Sequence, residues 1–347
     1  MTRLLIANAQ VLQVSPTGSS VTVLEGQDVL VNGQRIDAVQ PTGAVDPSHF
    51  DTVIDAHGML VAPGLINCHA HVPMVLWRGL AEDASIDRWF NDLMWPLENN
   101  LQPEDVYWGM LLGLIEQIES GVTSVADHYF HMAHAARAVE QIGARALLGY
   151  AMFGSQGMNM IEETASFAQD FQGAAHGRIR TIMAPHAPYT CDDDFLRATA
   201  QIAQKLGVGI HIHVSETPQQ TIASYRKRGI TPLQVLQQTG VLDVPTILAH
   251  VCGATPADIR LLEQYDTGIA HAVKTYLKLG ETTAPVIEFR AAGIPVGLAS
   301  DGVVSNSTLN LWETLRLMAL TQKDRTGMGE AMSIGETLAI ATHGSAK

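Results

Sequence analysis

The chain has 347 residues, of which 46% are hydrophobic, and its formal net charge is −14. A chain of this length and composition can bury a substantial core, either as two domains or as one large barrel. The negative charge provides none of the attraction that nucleic-acid backbones and anionic membranes require, so neither is expected as a partner.

The chain also has no signal for a membrane or a secreted location. No apolar run approaches the roughly 18–20 residues of a membrane helix, and the run at residues 4–7 is too short for a signal peptide. Three widely spaced cysteines, Cys68, Cys191 and Cys252, include no C-x-x-C pair and are typical of a reducing cytosol. A phosphate-binding G-x-x-x-x-G-K-[ST] motif is absent. We therefore expect a cytoplasmic protein.

The first part of the chain predicts a small β layer. Residues 3–14, 28–40 and 52–62 alternate or cluster apolar side chains, and Asn32-Gly33 is a strong hairpin signal between two such runs. We assign residues 1–58 to this layer, an N-terminal portion of a β-sandwich.

From residue 59 to residue 347 the pattern changes to short apolar strands that alternate with helical segments, which predicts a parallel α/β fold. Helices are expected over residues 106–120, 133–142, 192–206, 256–265 and 285–292. Eight strands are expected, with their carboxyl ends near His71, Asp127, Tyr150, His186, His213, His250, His271 and Asp301. Eight such units predict a (β/α)8 TIM barrel, and the carboxyl ends of its strands are where catalytic groups lie.

The sequence H-A-H at residues 69–71 ends the first of these strands. Two histidines at i and i+2 of a strand project to the same face and can bind one ion. An isolated H-x-H pair could instead be two buried histidines that bind no metal and hydrogen-bond to backbone carbonyls. His213, His250 and Asp301 at later strand ends favour the metal site. Imidazoles with one carboxylate and a position left for water suit a catalytic zinc or iron ion.

Five segments together resemble the amidohydrolase superfamily: P-G-L-I-N-C-H-A-H, H-A-P-Y-T-C, H-I-H-V-S-E-T, L-A-H-V-C and G-L-A-S-D-G-V-V-S-N-S. They are most similar to the 5′-methylthioadenosine/S-adenosylhomocysteine deaminases and the triazine hydrolases. The two-metal form of this barrel uses a carboxylated lysine on the fourth strand, and residues 179–190 contain no lysine. One divalent ion is therefore expected, zinc in preference to iron.

The resemblance implies a role for each matching residue, and the substrate it implies is a small nitrogen heterocycle, an adenosine-type nucleoside. His250 would contact the metal-bound water, and Glu216 would carry the proton to a ring nitrogen. The metal ligands would be His69, His71, His213 and Asp301, and the substrate contacts would be His186 for the purine, Glu98 for the ribose hydroxyls and Trp89 near the 5′ substituent.

Each of these roles has a structural alternative. Glu216 could be a solvated loop acid, His186 part of a rigid P-H-A-P turn, Glu98 a helix cap and Trp89 core packing. His211 is expected to be a satisfied core histidine, His128, His131 and His271 are expected to be structural, and Cys68 is expected to face the helices. Two other functions stay open, a triazine-type hydrolase and a non-catalytic oligomerising scaffold, and a homo-oligomer is compatible with the sequence.

The chain departs from the resemblance in two ways. Relatives that accept S-adenosylhomocysteine hold its carboxylate with arginines after the third strand, where this chain has Tyr150 and no arginine over residues 151–164. We therefore expect a substrate with a neutral 5′ group. Relatives also continue beyond the barrel with strands that complete the β layer, whereas this chain stops at Lys347. A C-terminal piece is then missing or another element covers residues 1–58, and a protein that ended here would be poorly soluble.

Overall fold

The computed structural model describes residues 2–347. These residues form two compact units. The first consists of residues 2–64 with Ser333–Ala339, and the second of Leu65–Met332 with Ile340–Lys347. Within the described residues, no helix is both long enough and apolar enough to cross a membrane.

The first unit contains a sheet with the strand order β3-β2-β1-β4, in which β5 also pairs with β1. The predicted hairpin is present, with Asn32 at the end of β2 and a turn through Gly33, whose φ is +59°. Residues 52–62, one of the predicted β segments, form two short strands, because a turn at Gly58 (φ +75°) separates them. The strands are β1 Arg3–Val14, β2 Val21–Asn32, β3 Arg35–Pro41, β4 Thr52–Asp55 and β5 Leu60–Val61.

The second unit is built around a curled parallel sheet with the order β13-β12-β11-β10-β9-β8-β7-β6-β14. Each predicted strand end lies within two residues of an observed strand end. The parallel α/β arrangement expected from the sequence is therefore confirmed. The strands are β6 Leu65–His71, β7 Val122–Tyr129, β8 Ala146–Met152, β9 Ile179–Pro185, β10 Ile210–Val214, β11 Thr246–His250, β12 Thr267–His271, β13 Val296–Leu298 and β14 Asp301–Gly302.

The sheet has nine strands where eight were expected, because the last predicted strand is interrupted after Leu298. Its first part, β13, pairs with β12, and its second part, β14, pairs with β6. At the interruption the Asn67 side chain replaces ladder hydrogen bonds: its Oδ1 accepts from Ser300 N at 2.9 Å and its Nδ2 donates to Ser300 Oγ at 2.8 Å. Asp301 then adopts a positive φ of 60°, which turns the chain at the point where the predicted ligand lies.

The helices expected from the sequence are present, with ends that differ by a few residues. Local signals explain their boundaries. At α7, for example, Asp192 Oδ1 accepts from Phe195 N at 2.9 Å, and Gly207 follows the last turn with a φ of +67°. The α-helices are α1 Ile86–Arg88, α2 Trp95–Glu98, α3 Pro103–Glu119, α4 Met132–Ile142, α5 Asn159–Phe171, α6 Ala174–Gly177, α7 Asp193–Leu206, α8 Pro218–Arg228, α9 Pro232–Gln238, α10 Pro256–Leu262, α11 Val273–Leu279, α12 Val286–Ala291, α13 Val303–Asn306, α14 Leu311–Thr326 and α15 Ile334–Ala339. Short 3-10 turns cover Pro47–His49, Val72–Trp77, Gly154–Gln156 and Val241–Asp243, and π turns cover Trp89–Met94 and Ile340–Gly344.

Helix α3 packs closely against the segment that follows β6. A Cβ atom at Gly109 would lie 2.6 Å from Pro73 O, and one at Gly113 would lie 2.5 Å from Val72 Cγ1. The same segment is fixed from the other side, because Val72 N donates to Asp127 Oδ1 at 2.7 Å. These contacts fix the backbone directly after the H-x-H pair.

Candidate active site

A pocket opens at the carboxyl ends of the parallel strands. Of the nine residues predicted to bind the metal, transfer protons or contact the substrate, His69 does not line this pocket and is fully buried. The others do, namely His71, Trp89, Glu98, His186, His213, Glu216, His250 and Asp301. The structure therefore brings together side chains that span more than two hundred positions of the chain.

Strands β6, β10 and β14 place four of these groups against one another. As period-two alternation requires, His69 and His71 project to the same side of β6. Asp301 Oδ1 lies 3.4 Å from His69 Nε2 and 3.2 Å from His71 Nε2. His213 Nε2 lies 3.4 Å from His71 Nε2.

These separations suit ligand atoms that share one ion. Two ligand bonds of about 2.1 Å that meet at a tetrahedral angle place their ligand atoms about 3.4 Å apart, which agrees with the three observed distances. The buried His69 Nε2 has no hydrogen-bond partner within residues 2–347, and a buried nitrogen without a partner is costly unless something binds it. Three imidazoles and one carboxylate match the preferences of zinc and related transition metals.

The electrostatics of the group keep most of the imidazoles neutral. Burial lowers the pKa of His69 to about 3 and also holds the pKa of His213 well below its usual value. Burial opposes the charge on His71 as well, but the Asp301 carboxylate outweighs it and raises the pKa of His71. Burial alone would raise the pKa of Asp301, whereas the neighbouring imidazoles of His69 and His71 hold it well below its usual range. Neutral imidazoles and an ionised carboxylate are the forms that bind a metal.

His250 completes the cluster from the end of β11. Its ring stacks on that of His213, with centroids 5.4 Å apart, and its ligand atoms lie within 4.8 Å of those of His69 and His213. His250 has a φ of +76°, and positive φ values recur at Ser215 (48°) and Asp301 (60°). Such strained backbone in residues other than glycine is concentrated at functional sites.

Glu216 lies three residues beyond His213, at the end of the loop after β10. Its carboxylate accepts hydrogen bonds from the Tyr189 hydroxyl at 2.7 Å and from Gln220 Nε2 at 3.4 Å, and its backbone N–H donates to Gln220 Oε1 at 3.0 Å. The side chain is therefore held at the pocket by two neighbours, in contrast to the solvated loop acid that was the alternative.

An aromatic wall, formed by His186 and Phe153, lines the pocket beside the histidine cluster, and the ring centroids of His186 and His213 are 4.7 Å apart. The His186 ring stacks on Phe153 with centroids 4.3 Å apart and an interplanar angle of 22°. Trp89, which is buried, and the half-buried Glu98 line the same pocket. Burial raises the pKa of Glu98 to about 7, and the charge of His71 and the Tyr129 hydroxyl oppose that rise. The pocket thus combines flat apolar surfaces with a carboxyl group able to accept hydrogen bonds.

Two histidines that the sequence analysis treated as structural belong to this cluster. His211 Nε2 lies 2.9 Å from His69 Nδ1. His128 lines the pocket, and its ligand atom lies within 4.8 Å of those of His71 and His213. The H-x-H spacing of residues 211–213 contained the signal for His211, because it places both side chains on the same face of β10. Nothing comparable in the sequence indicated His128.

The remaining predictions for individual residues are consistent with structural roles. His271 is buried beside Tyr276, and burial lowers its pKa to about 3. His131 precedes α4 in a left-handed conformation. Cys68 Sγ contacts the carbonyl of Ser345 at 3.5 Å, and within residues 2–347 it joins none of the groups of potential ligand atoms.

Comparison with known proteins identifies relatives that match nearly the whole chain, including the segments that form this site. The model of the amidohydrolase family matches residues 60–347. A 5-methylthioadenosine/S-adenosylhomocysteine deaminase of Desulforudis audaxviator is 40% identical over 349 residues, which cover 99% of this chain and 80% of that protein. A 5′-deoxyadenosine deaminase of Methanothermobacter thermautotrophicus is 36% identical over 344 residues, which cover 98% of this chain and 80% of that protein.

A solved structure is also closely similar. The crystal structure of an adenosine deaminase from Xanthomonas campestris, with bound zinc, superposes with a TM-score of 0.90 and 29% sequence identity. The superposition covers 99% of this chain and 79% of that chain.

Proposed function

The chain belongs to the amidohydrolase family, and we propose that it is a metal-dependent hydrolytic deaminase of an adenosine-type nucleoside. The substrate would be 5′-methylthioadenosine, adenosine or 5′-deoxyadenosine, and the products the inosine analogue and ammonia. The observation that carries this proposal is the close approach of three imidazoles and one carboxylate: Asp301 Oδ1 lies 3.4 Å from His69 Nε2 and 3.2 Å from His71 Nε2, and His213 Nε2 lies 3.4 Å from His71 Nε2. Relatives with deaminase names at up to 40% identity support the same chemistry.

His69, His71, His213 and Asp301 would hold one divalent ion, for which we propose zinc. When bound, such an ion supplies an activated water by lowering the pKa of that water toward about 7. The zinc in the structure of the adenosine deaminase from Xanthomonas campestris supports this choice of metal.

The side chains around the ion then move protons and orient the reactants. Asp301 and His250 lie where they can accept a proton from the attacking water and direct its oxygen at the purine. Glu216 takes one proton from the attacking water and delivers it to the ring nitrogen next to the carbon under attack, which makes that carbon electrophilic. A bond forms between the water oxygen and this carbon, the bond to the amino nitrogen breaks, and the amine leaves as ammonia with the second proton.

The aromatic wall would bind the rest of the nucleoside. The stacked pair of His186 and Phe153 offers a flat surface and a ring nitrogen to the purine. Glu98 can accept hydrogen bonds from the ribose hydroxyls, and Trp89 can contact an apolar 5′ substituent. Substrate positioning of this kind is where much of the rate acceleration of an enzyme originates.

For the fold, we propose that β13 and β14 are two parts of one strand, so that the sheet closes as a (β/α)8 barrel. The pairing of β13 with β12 and of β14 with β6 supports the closure. We propose residues 59–347 as the catalytic domain and residues 1–58 as part of a β-sandwich domain. A cytoplasmic location agrees with the three free cysteines, and the net charge of −14 favours a small-molecule substrate over nucleic acid.

An ammonia-release screen tests the proposed function. The zinc-loaded protein would be assayed with adenosine, 5′-methylthioadenosine, 5′-deoxyadenosine, S-adenosylhomocysteine, guanine, cytosine and triazines. We expect ammonia from the adenosine derivatives, loss of that activity with a chelator, and recovery on addition of zinc. Glu216→Gln should lower kcat about 10²–10⁴-fold while the protein stays folded.

Two outcomes would contradict the proposal. Chloride or amine release from triazines without ammonia from any nucleoside would assign the pocket to a triazine-type hydrolase. A protein that binds no zinc and releases nothing would favour the non-catalytic scaffold.

A further inference from the structure

Tyr189 is a residue to which the proposed reaction gives no role, although it contacts the proton-transferring carboxylate. Its hydroxyl donates to Glu216 Oε1 at 2.7 Å, and Gln220 Nε2 donates to the same oxygen at 3.4 Å. Both hydrogen bonds therefore fall on one oxygen. Among residues 2–347 they leave Oε2 of Glu216 as the oxygen available to a substrate in the pocket.

The segment that carries Tyr189 is rigid. Residues 186–191 form a turn in which Thr190 N and Cys191 N both donate to Ala187 O, at 3.1 and 2.9 Å. The Thr190 hydroxyl lies 3.0 Å from His186 Nδ1. A hydroxyl presented by such a turn can hold a partner in place without a large loss of side-chain entropy on binding.

The same turn also orients a proposed metal ligand. The carbonyl of His186 accepts from His213 Nδ1 at 2.8 Å and from His213 N at 3.0 Å. One short segment therefore contacts both the ring of His213, through the His186 carbonyl, and the carboxylate of Glu216, through Tyr189. The relative position of these two groups depends on the turn.

We propose that Tyr189 is a positioning residue for Glu216, which holds Oε1 so that Oε2 faces the ring nitrogen of the substrate. This inference rests on the proposed function, because it presumes that Glu216 transfers the proton. About half of the Tyr189 side chain is exposed (49%), so packing of the ring does not account for its placement. The hydroxyl stays protonated and can donate, because the loss of water around its oxygen and the Glu216 carboxylate raise the pKa of Tyr189 well above its usual value.

The expected consequence is a change in kcat with little change in KM. Without the hydroxyl, Glu216 can rotate away from the productive orientation, which affects the reacting complex more than substrate binding. Tyr189→Phe retains the ring and removes only the donor. Because the lost hydrogen bond is to a charged group, we expect kcat to fall about 10–100-fold.

A double-mutant cycle separates this role from a merely structural one. Tyr189→Phe, Glu216→Gln and the double variant would be assayed by ammonia release from 5′-methylthioadenosine or adenosine, with zinc content and melting temperature measured in parallel. If Tyr189 acts through Glu216, the Tyr189→Phe substitution has no further effect on the residual kcat of Glu216→Gln. Tyr107→Phe is the matched control, because the hydroxyl of Tyr107 donates to Gln141 at 2.5 Å, away from the pocket.

The possible results are distinct. An unchanged kcat in Tyr189→Phe overturns the inference and leaves the proposed function intact. The inference is also overturned, with the proposed function intact, if the effects of the two substitutions on kcat are additive. It is overturned as well if Tyr189→Phe lowers the zinc content along with kcat, because the residue would then act on the fold or on His213. If the wild-type protein deaminates no nucleoside, the proposed function fails and the positioning role with it.

Discussion

His69 Nδ1 lies 2.9 Å from His211 Nε2, so that a histidine on β6 and a histidine on β10 form one buried hydrogen bond. If His69 binds a metal through Nε2, its Nδ1 carries the proton and donates it to His211. Hydrogen bonds of this kind fix the tautomer and the ring orientation of a ligand imidazole. His211 is thereby connected to the candidate metal site although it lines no part of the pocket.

The first prediction concerns this pair. His211→Ala should weaken zinc binding about 10–100-fold, because His69 loses the partner that orients its ring. The affinity would be measured by competition with a chromogenic chelator, on protein stripped of metal. His134→Ala removes an imidazole outside the cluster and should leave the affinity unchanged. Equal zinc affinity in the His211 variant and the wild type would contradict a supporting role for His211.

The second prediction concerns the contact between α3 and the segment after β6. Alanine is favoured over glycine by about 1 kcal/mol inside a helix, but a Cβ at Gly113 would lie 2.5 Å from Val72 Cγ1. Overpacking in a buried contact typically costs about 1–3 kcal/mol. Gly113→Ala should therefore be destabilising by about 1 kcal/mol and lower the melting temperature by about 2–4 °C in calorimetry.

The matched control for this second prediction lies on the same helix. Leu112 is exposed, so Leu112→Ala should change stability by no more than about 0.5 kcal/mol. Because Val72 directly follows His71, Gly113→Ala should also weaken zinc binding. A Gly113→Ala protein as stable as the wild type would show that the backbone shifts freely at this contact.

The third prediction is a pH dependence of substrate binding through Glu98. Burial raises the pKa of Glu98 to about 7, so the ionised form that best accepts hydrogen bonds from ribose hydroxyls is lost as the pH falls through that value. The KM for adenosine should therefore rise below about pH 7. The positive charge of a bound ion, like that of His71, lowers the pKa of Glu98, so the rise in KM moves to a lower pH when the ion is bound.

Substitution of Glu98 tests whether this residue causes the pH dependence of KM. The side chain introduced by Glu98→Gln cannot ionise. The KM of this variant for adenosine should therefore be higher than that of the wild type, and it should not change between pH 5.5 and 8. Measurements of KM across this range, on both proteins, would decide the question. A pH-dependent KM that persists in Glu98→Gln would assign the titration to another group.

The fourth prediction concerns the 5′ substituent of the substrate. Among the residues that line the pocket, none is lysine or arginine, whereas Glu98, Glu216, Glu281 and Asp301 are acidic. An adjoining cavity of about 1590 Å³ shares Glu98 and adds Glu163. A free carboxylate there would have no guanidinium partner and would face negative charge. We expect kcat/KM for S-adenosylhomocysteine to be at least about tenfold below that for 5′-methylthioadenosine.

A variant can test the reason for this preference. From the resemblance, Tyr150 is expected to stand where relatives that accept S-adenosylhomocysteine have an arginine, and its hydroxyl lies 3.3 Å from Glu163 Oε1. Tyr150→Arg combined with Glu163→Gln introduces the guanidinium and removes the carboxylate that would capture it. This variant should narrow the gap between the two substrates. Comparable turnover of both substrates by the wild-type protein would refute the prediction.

Much of the architecture follows from local sequence pattern. The period-two alternation and apolar runs located each strand of the curled sheet, and the Asn32-Gly33 dipeptide located the hairpin. Strand boundaries that depend on contact with a residue far away in the chain could not be predicted from the local pattern. The interruption between β13 and β14 exists because the Asn67 side chain occupies the hydrogen-bonding positions of Ser300, and Asn67 lies 233 residues earlier in the chain.

For the site, the sequence by itself determined which residue types stand at the ends of the strands, because a strand end is a local property of the chain. The resemblance carried by the motifs implied His69, His71, His213 and Asp301 as the metal ligands, and this role stays a prediction. The tertiary structure alone decided which nitrogen of each ring faces the others, that His211 contacts His69, and that the Tyr189 hydroxyl donates to Glu216. These contacts join side chains up to 142 residues apart, and the distances between them arise when neighbouring parallel strands align, which no local pattern encodes.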